Sequence, residues 1–171
     1  MEYGGDTNLK MFIENYKKKN QLLKEEVIED IIFQICSGLK EIHNKNIIHR
    51  DLTPENIFIN EFNNIKIGDF GVSKKLGTMK MYAYTKTGKY HYNAPEIELA
   101  KKFNNKVDIY AFGCIIYELF TLNEYFIDKV IYEKNCKIDT NFYKIKWQKL
   151  IDSLVEKDNR KRPILKKYII I

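Results

Sequence analysis

Apolar residues recur at intervals of three and four between Lys24 and Asn44, where Val27, Ile31, Ile35, Leu39 and Ile42 fall on one stripe. This spacing predicts an amphipathic helix with the stripe buried, and Glu25 and Glu26 in its first turn suit the positive end of the helix dipole. A shorter helix is expected before it, from about Asn8 to Lys18. The period then changes. Ile57-Phe58-Ile59-Asn60 and Asn64-Ile65-Lys66-Ile67 predict two short strands around a turn at Glu61 to Asn63. From Asn105 to Leu122 the chain is apolar almost all round, which predicts a central helix rather than a surface one. Asp108 is the conspicuous charge in that helix, and a carboxylate placed there must accept strong hydrogen bonds. Another helix is expected from Lys149 to Glu156, after a stretch from about Leu122 to Trp147 that carries little pattern. Residues 72 to 93 are polar and rich in Lys, Thr and Tyr without periodicity, so they predict a loop, and Tyr168-Ile169-Ile170-Ile171 ends the chain on apolar residues. The elements together predict a mainly α fold with a small β hairpin.

Composition narrows the class. With 171 residues, 44% of them hydrophobic and 13% aromatic, the chain can close one sizeable core, so one domain or lobe is expected. Cys36, Cys114 and Cys136 are odd in number and lack metal-ligand spacing, which predicts reduced thiols, the first two in apolar helical runs. No apolar run reaches the ~18 residues of a membrane span, and the first residues lack the charged-then-apolar order of a signal peptide. An intracellular setting, cytoplasmic or nuclear, is therefore expected, with no membrane partner. The net charge of +6 and the isoelectric point near 9.0 do not point to nucleic acid, because the lysines are scattered among acids. Lys, Asn and Ile recur throughout, as an AT-rich coding bias would produce.

The candidate chemistry lies in three runs that occur in order. They are Ile48-His49-Arg50-Asp51-Leu52-Thr53-Pro54-Glu55-Asn56, Asp69-Phe70-Gly71 and Ala94-Pro95-Glu96. Each alone is weak, since an Asp in a polar loop is usually a solvated turn residue. Phosphoryl transfer, however, needs a carboxylate beside the incoming hydroxyl and oxygen ligands that hold Mg²⁺ against the phosphates. Asp51 suits the first task, and Asn56, five positions on, can aim its amide oxygen at a metal that Asp69 also holds. Gly71 lets Asp69 be turned into a cleft while Phe70 packs behind it. In this order the runs resemble the catalytic loop, the metal-binding loop and the end of the activation segment of eukaryotic protein kinases of the Ser/Thr type. Within that superfamily, Gln34-Ile35-Cys36, Asn56-Ile57-Phe58 and Asn104-Asn105-Lys106-Val107-Asp108-Ile109 look closest to NIMA-related kinases.

The resemblance implies a protein-kinase-like C-terminal lobe over residues 1–171, a partial kinase domain with an activation segment at about 69–96. Met1 to Asp6 resembles the hinge, so the small N-terminal lobe is expected to be absent, leaving Phe58, Phe70 and His49 facing solvent. The implied cofactors are ATP and Mg²⁺. Glu2 and Tyr3 would meet the adenine through their backbone, Asp6 would reach the ribose, Glu55 would belong to the nucleotide site, and Phe58 would floor the adenine unless it is an ordinary core residue. Asp51, Thr53, Asn56, Asp69 and Lys89 form the implied catalytic set, with Asn56 and Asp69 as metal ligands. Arg50 could pair with a phosphate on Thr85 or, second, Thr87, placed there by an upstream kinase or by autophosphorylation. His49 would pack under Phe70, Asp108 would accept from the backbone around His49 and Arg50, and Glu96 would meet Arg162. His43 is expected to be a satisfied core or capping group. Protein Ser/Thr hydroxyls are the implied substrates, because the Trp that tyrosine kinases tend to carry before Ala94-Pro95-Glu96 is missing.

One departure bears on activity. The family places Lys two residues after the catalytic Asp and Thr after the Gly that precedes the Ala-Pro-Glu run by a few positions; here those positions hold Thr53 and Lys89. Either Lys89 reaches back beside Asp51 while Thr53 takes the bridging role, or the copy has drifted into inactivity. Three classes therefore remain open: an ATP-dependent Ser/Thr kinase, a pseudokinase or regulatory binding lobe, and a basic nucleic-acid or scaffold module, which the scattered charge disfavours.

Overall fold

The computed structural model describes residues 7–71, 73–75, 90–99, 101–123 and 137–165. In chain order these form β1 (Thr7–Asn8), α1 (Leu9–Lys18), α2 (Glu25–Asn44), β2 (Ile47–Ile48), β3 (Ile57–Ile59), β4 (Ile65–Ile67), β5 (Lys74–Lys75), α3 (Pro95–Glu98), α4 (Lys106–Thr121) and α5 (Ile145–Leu154), with 3-10 turns at Pro54–Asn56, Tyr90–Tyr92 and Asn159–Lys161.

Helix α1 begins where the Asn8 side chain accepts a hydrogen bond from Met11 N at 2.9 Å, and Lys17 and Lys18 sit at its negative end. Helix α2 buries Ile28, Ile31, Ile32, Ile35, Cys36, Leu39 and Ile42. The expected stripe is correct for Ile31, Ile35, Leu39 and Ile42 but not for Val27, which is 36% exposed. Ile28, one position on, takes the inward place, because a helix of period 3.6 cannot keep a strict four-residue stripe inside over five turns.

The predicted hairpin is present, each strand one residue shorter than expected, and β1 extends it into a three-stranded antiparallel sheet in the order β1-β3-β4. Thr7 pairs with Ile59, and Ile57 with Ile67. The Asn60 side chain shapes the turn by accepting from Phe62 N at 3.0 Å and Asn64 N at 2.9 Å, while Asn63 adopts a φ of 60°, a conformation Asn tolerates. Strands β2 and β5 form a second, two-stranded pair.

Helix α4 is the centre of the core: thirteen of its 16 residues are buried, including Asp108 and Glu118. Cys36 and Cys114 are free and buried in the same core, and burial raises the pKa of the Cys36 thiol. Helix α5 starts four residues before the expected Lys149, because Trp147 and Gln148 are drawn into the core; the Trp147 ring lies 5.4 Å from that of Phe120. Cys136 and Tyr168 to Ile171 lie outside the described residues.

Gly113 sets the approach of α4 to the end of α5. A Cβ there would stand 2.7 Å from Val155 Cγ1 and 2.8 Å from Leu154 Cβ. Gly113→Ala should therefore cost about 1–3 kcal/mol by overpacking, seen as a lower urea midpoint with an unchanged m-value; an unchanged midpoint would show that α5 moves freely.

Candidate active site

The catalytic-loop run is held from beneath by Asp108. Its Oδ2 accepts from His49 N at 3.0 Å and lies 2.8 Å from His43 Nε2, while its Oδ1 accepts from Arg50 N at 2.9 Å. With 1% exposure the carboxylate has little access to water, and these donors take its place. They also hold Arg50 at a φ of 71°, an uncommon conformation for a residue with a long side chain. His49 itself is fully buried rather than solvent-facing as expected from the sequence, because its ring lies under the β4 end. Its Nε2 donates to Gly68 O at 2.8 Å, since a carbonyl only accepts. Phe70 packs edge-on against this ring at 5.0 Å and is 44% exposed, while Phe58 is half-buried.

Asn56 closes the 3-10 turn that follows the buried Thr53 and Pro54, with its backbone N–H on Thr53 O at 3.0 Å. Its side-chain Nδ2 donates to Asp51 O at 2.8 Å and to Asp51 Oδ2 at 3.0 Å. Both partners are acceptors, so the amide nitrogen must face Asp51 and Oδ1 is turned the other way. Gly68 N donates to Asn56 O at 2.8 Å, which brings the chain entering Asp69 alongside Asn56. Asp69 is exposed, has a φ of 57°, and accepts from Gly71 N through Oδ1 at 3.2 Å. An amide oxygen and a carboxylate at adjoining strand ends are hard donors that fit Mg²⁺, an ion that takes one or two protein ligands and completes its shell with water and phosphate. Among the described residues no group of three or more His, Cys, Asp or Glu side chains could hold a metal alone. The Phe58 ring lies against Gly68, where a Cβ would stand 2.7 Å from its Cε2, so only glycine fits between Phe58 and Asp69.

Thr53 is 2% exposed and borders a small polar pocket with Arg50, Asp51, Tyr92 and Asn93. Glu55 is partly buried on the same turn. The Arg50 guanidinium lies 5.5 Å from the Phe103 ring, and burial lowers its pKa while Asp108 opposes the shift. Glu2, Tyr3, Asp6, Thr85, Thr87 and Lys89 lie outside the described residues.

Two further buried acids fix the segment that ends the candidate loop. Glu96 on α3 meets Arg162 in a fork, Nη1 to Oε1 at 2.6 Å and Nη2 to Oε2 at 2.8 Å. Arg162 is satisfied besides by Glu156 O at 2.6 Å and Lys106 O at 3.0 Å, and it lies over Tyr110 at 5.0 Å. Glu118 was not anticipated from the sequence. It takes Lys10 Nζ at 3.0 Å and Tyr92 Oη at 2.5 Å, joining α1, α4 and the Tyr90–Tyr92 turn. The available signal was the one used for Asp108, an acid inside an apolar helical run.

Residues 1–169 match the family model described as protein kinase domain. The chain belongs to the protein kinase family. It is similar to the serine/threonine-protein kinase Nek9 of Mus musculus, 33% identical over 172 residues that cover 95% of the chain and 17% of that relative. It is also similar to the probable serine/threonine-protein kinase nek2 of Dictyostelium discoideum, at 40% over 126 residues, covering 72% of the chain and 30% of the relative. A third relative, serine/threonine-protein kinase Nek8 of Danio rerio, is 43% identical over 127 residues, covering 74% of the chain and 18% of the relative. The chain thus spans less than a third of the length of each, and its relatives are mainly NIMA-related Ser/Thr kinases, as the three sequence runs suggested.

Arg162→Met leaves the Glu96 carboxylate buried without its fork and should cost about 3–5 kcal/mol. Thermal or urea unfolding would read this, and a loss no larger than that of an exposed arginine would mean that α3 is held by other contacts.

Proposed function

We propose that the chain carries the catalytic lobe of a serine/threonine protein kinase that transfers the γ-phosphate of ATP to protein hydroxyls. The observation that carries this reading is the Asn56 amide, fixed on Asp51 through nitrogen with its oxygen turned away, beside the strand end that bears Asp69. In this reading Asp51 accepts the proton of the substrate hydroxyl through its carboxylate, while Asn56 and Asp69 hold Mg²⁺. The bound ion supplies charge neutralisation for the phosphates. Phe58 floors the adenine, Glu55 belongs to the nucleotide site, and Glu2, Tyr3 and Asp6 supply the hinge contacts, so that residues 1–171 comprise hinge and large lobe. Arg50 receives a phosphate on Thr85 or Thr87, from an upstream kinase or by autophosphorylation, and ties the activation segment, about 69–96, to the catalytic loop. Lys89 supplies the cation that Thr53 does not, and Thr53 bridges toward Asp51. An intracellular, cytoplasmic or nuclear setting suits protein substrates and ATP; no helix among the described residues is long and apolar enough to cross a membrane.

The second reading is a pseudokinase or regulatory binding lobe. It is favoured by one observation: the short hydroxyl of Thr53 is buried where the family places a cation.

The test combines Mg²⁺-ATP calorimetry with transfer of labelled phosphate to a generic basic protein. Asp51→Asn should retain binding but lower transfer by about 10²–10³-fold or more, as expected when a group acting at the reacting centre is removed. Asp69→Ala should lose metal-dependent binding. Thr53→Lys should change transfer little if Lys89 already supplies the charge, whereas a large gain would sink that assignment. Nucleotide binding with no Asp51-dependent transfer would establish the pseudokinase reading instead.

A further inference from the structure

A cavity of about 230 Å³ opens where the end of α2, the start of α4 and residues 163–165 meet. Its apolar wall is formed by Ile109, Pro163, Ile164 and Leu165, of which Ile109 and Leu165 are buried and Ile164 is 65% exposed. The volume falls below the roughly 300–1,000 Å³ of sites for drug-sized molecules. It has room for about seven or eight methylene-sized groups, at the ~30 Å³ that one water takes up in the liquid. An occupant must therefore be small.

Charge selects among small occupants. Lys40 and Lys106 line the cavity and, among the described residues, no Asp or Glu does. The Lys106 ammonium is fixed by hydrogen bonds to Arg162 O at 2.5 Å and Pro163 O at 2.8 Å, at the wall that Pro163 itself forms. An ammonium has three N–H groups, so one remains for a ligand. Burial and the Arg162 guanidinium both act against the Lys106 charge and lower its pKa, a cost that an anion alongside would relieve. Lys40 is only partly buried, and no carboxylate of the described residues pairs with it.

We propose that this cavity binds a medium-chain aliphatic carboxylate, with its tail against Ile109, Ile164 and Leu165 and its carboxylate held between Lys40 and Lys106. Apolar contact supplies most of the affinity, and the two ammonium groups set the sign of charge that is accepted. The ligand also meets His43, which lines the cavity and whose Nε2 lies 2.8 Å from Asp108 Oδ2. The His43 ring thus stands between the ligand and the carboxylate that anchors His49 and Arg50, and it reports occupancy directly. The proposal does not depend on phosphate transfer.

The test is isothermal titration calorimetry of the whole chain with octanoate, without nucleotide. Saturable one-to-one binding should appear, and in NMR spectra of the histidine-labelled chain the His43 ring signals should move with it. Hexanoate should bind about ten- to twentyfold more weakly, since each buried CH₂ is worth about fourfold in affinity. The neutral 1-octanol, which keeps the tail and lacks the charge, should lose about tenfold, and octylamine should not bind. Lys40→Glu and Ile164→Asp should each weaken octanoate binding about tenfold or more; circular dichroism checks that these variants, at positions open to solvent, remain folded. No saturable binding, equal affinity for octanoate and 1-octanol, or an octanoate affinity unchanged in either variant would overturn the proposal. So would binding that appears only in the double variant Ile169→Asp, Ile170→Asp, because residues 166–171 of the chain itself would then be the occupant. Failure of the kinase reading would appear in the transfer assay and leave these outcomes unchanged.

Discussion

A carboxylate in the middle of an apolar helix is tolerable only if other groups replace the water it gives up, and the way Asp108 meets this requirement organises the candidate-site end of the molecule. Two backbone N–H groups from consecutive residues, His49 and Arg50, converge on its two oxygens with the His43 ring. Beyond these two N–H groups the φ of 71° at Arg50 turns the chain sharply as it leaves its anchor on Asp108. The conformation is costly for Arg and is held because releasing it would strand a buried charge. From this bend follow the direction in which Asp51 leaves the core, the turn that carries Asn56, and the depth at which the His49 ring reaches Gly68. Asp108 thus acts through geometry, by fixing the residues of the candidate site.

The same solution recurs around α4. Glu96 is matched by the Arg162 fork and Glu118 by Lys10 and Tyr92, so three buried acids each join elements distant in sequence. Apolar packing alone fixes the depth of a helix but leaves its rotation and the path of a neighbouring loop poorly determined. Directional, fully satisfied polar contacts remove that freedom. The Lys106 ammonium extends the Arg162 cluster by donating to Arg162 O and Pro163 O, at 2.5 and 2.8 Å, and burial together with the nearby guanidinium lowers its pKa.

Much of this frame was legible in the sequence because it follows from patterns of local origin. The lengths of α1, α2 and α4, the hairpin, and the need of Asp108 for donors all arise from periodicity or from one charge set in an apolar run. What escaped depends on contacts between distant segments. Val27 stays outside because Ile28 fits the neighbouring surface, and α5 begins early because Trp147 finds Phe120, which also packs on Tyr143. β1 is a strand only because β3 offers it an edge, two residues being too few to show a period. His49 was expected under Phe70 and lies there, but its run gives no sign that the Gly68 carbonyl will take its ring N–H, and Glu118 is hidden by the very apolar context that should have marked it. The candidate site was legible as a set of residue types in order; the direction of the Asn56 amide was not, since it is decided by two acceptors on Asp51.

The β3–β4 hairpin ties these levels together through two fastenings at opposite ends. At the candidate-site end, Gly68 gives its N–H to Asn56 and lets the Phe58 ring approach its backbone closely, so a side chain there would push either the ring or the Asp69 turn out of place. At the far end, Gln34 spans from α2 to Ile65 N and Asn63 O and sets the rotation of the turn. Strands of three residues are too short to absorb a change at one end by bending. A hairpin fastened at both ends is what allows two residues as different as an amide and a carboxylate to keep a fixed separation.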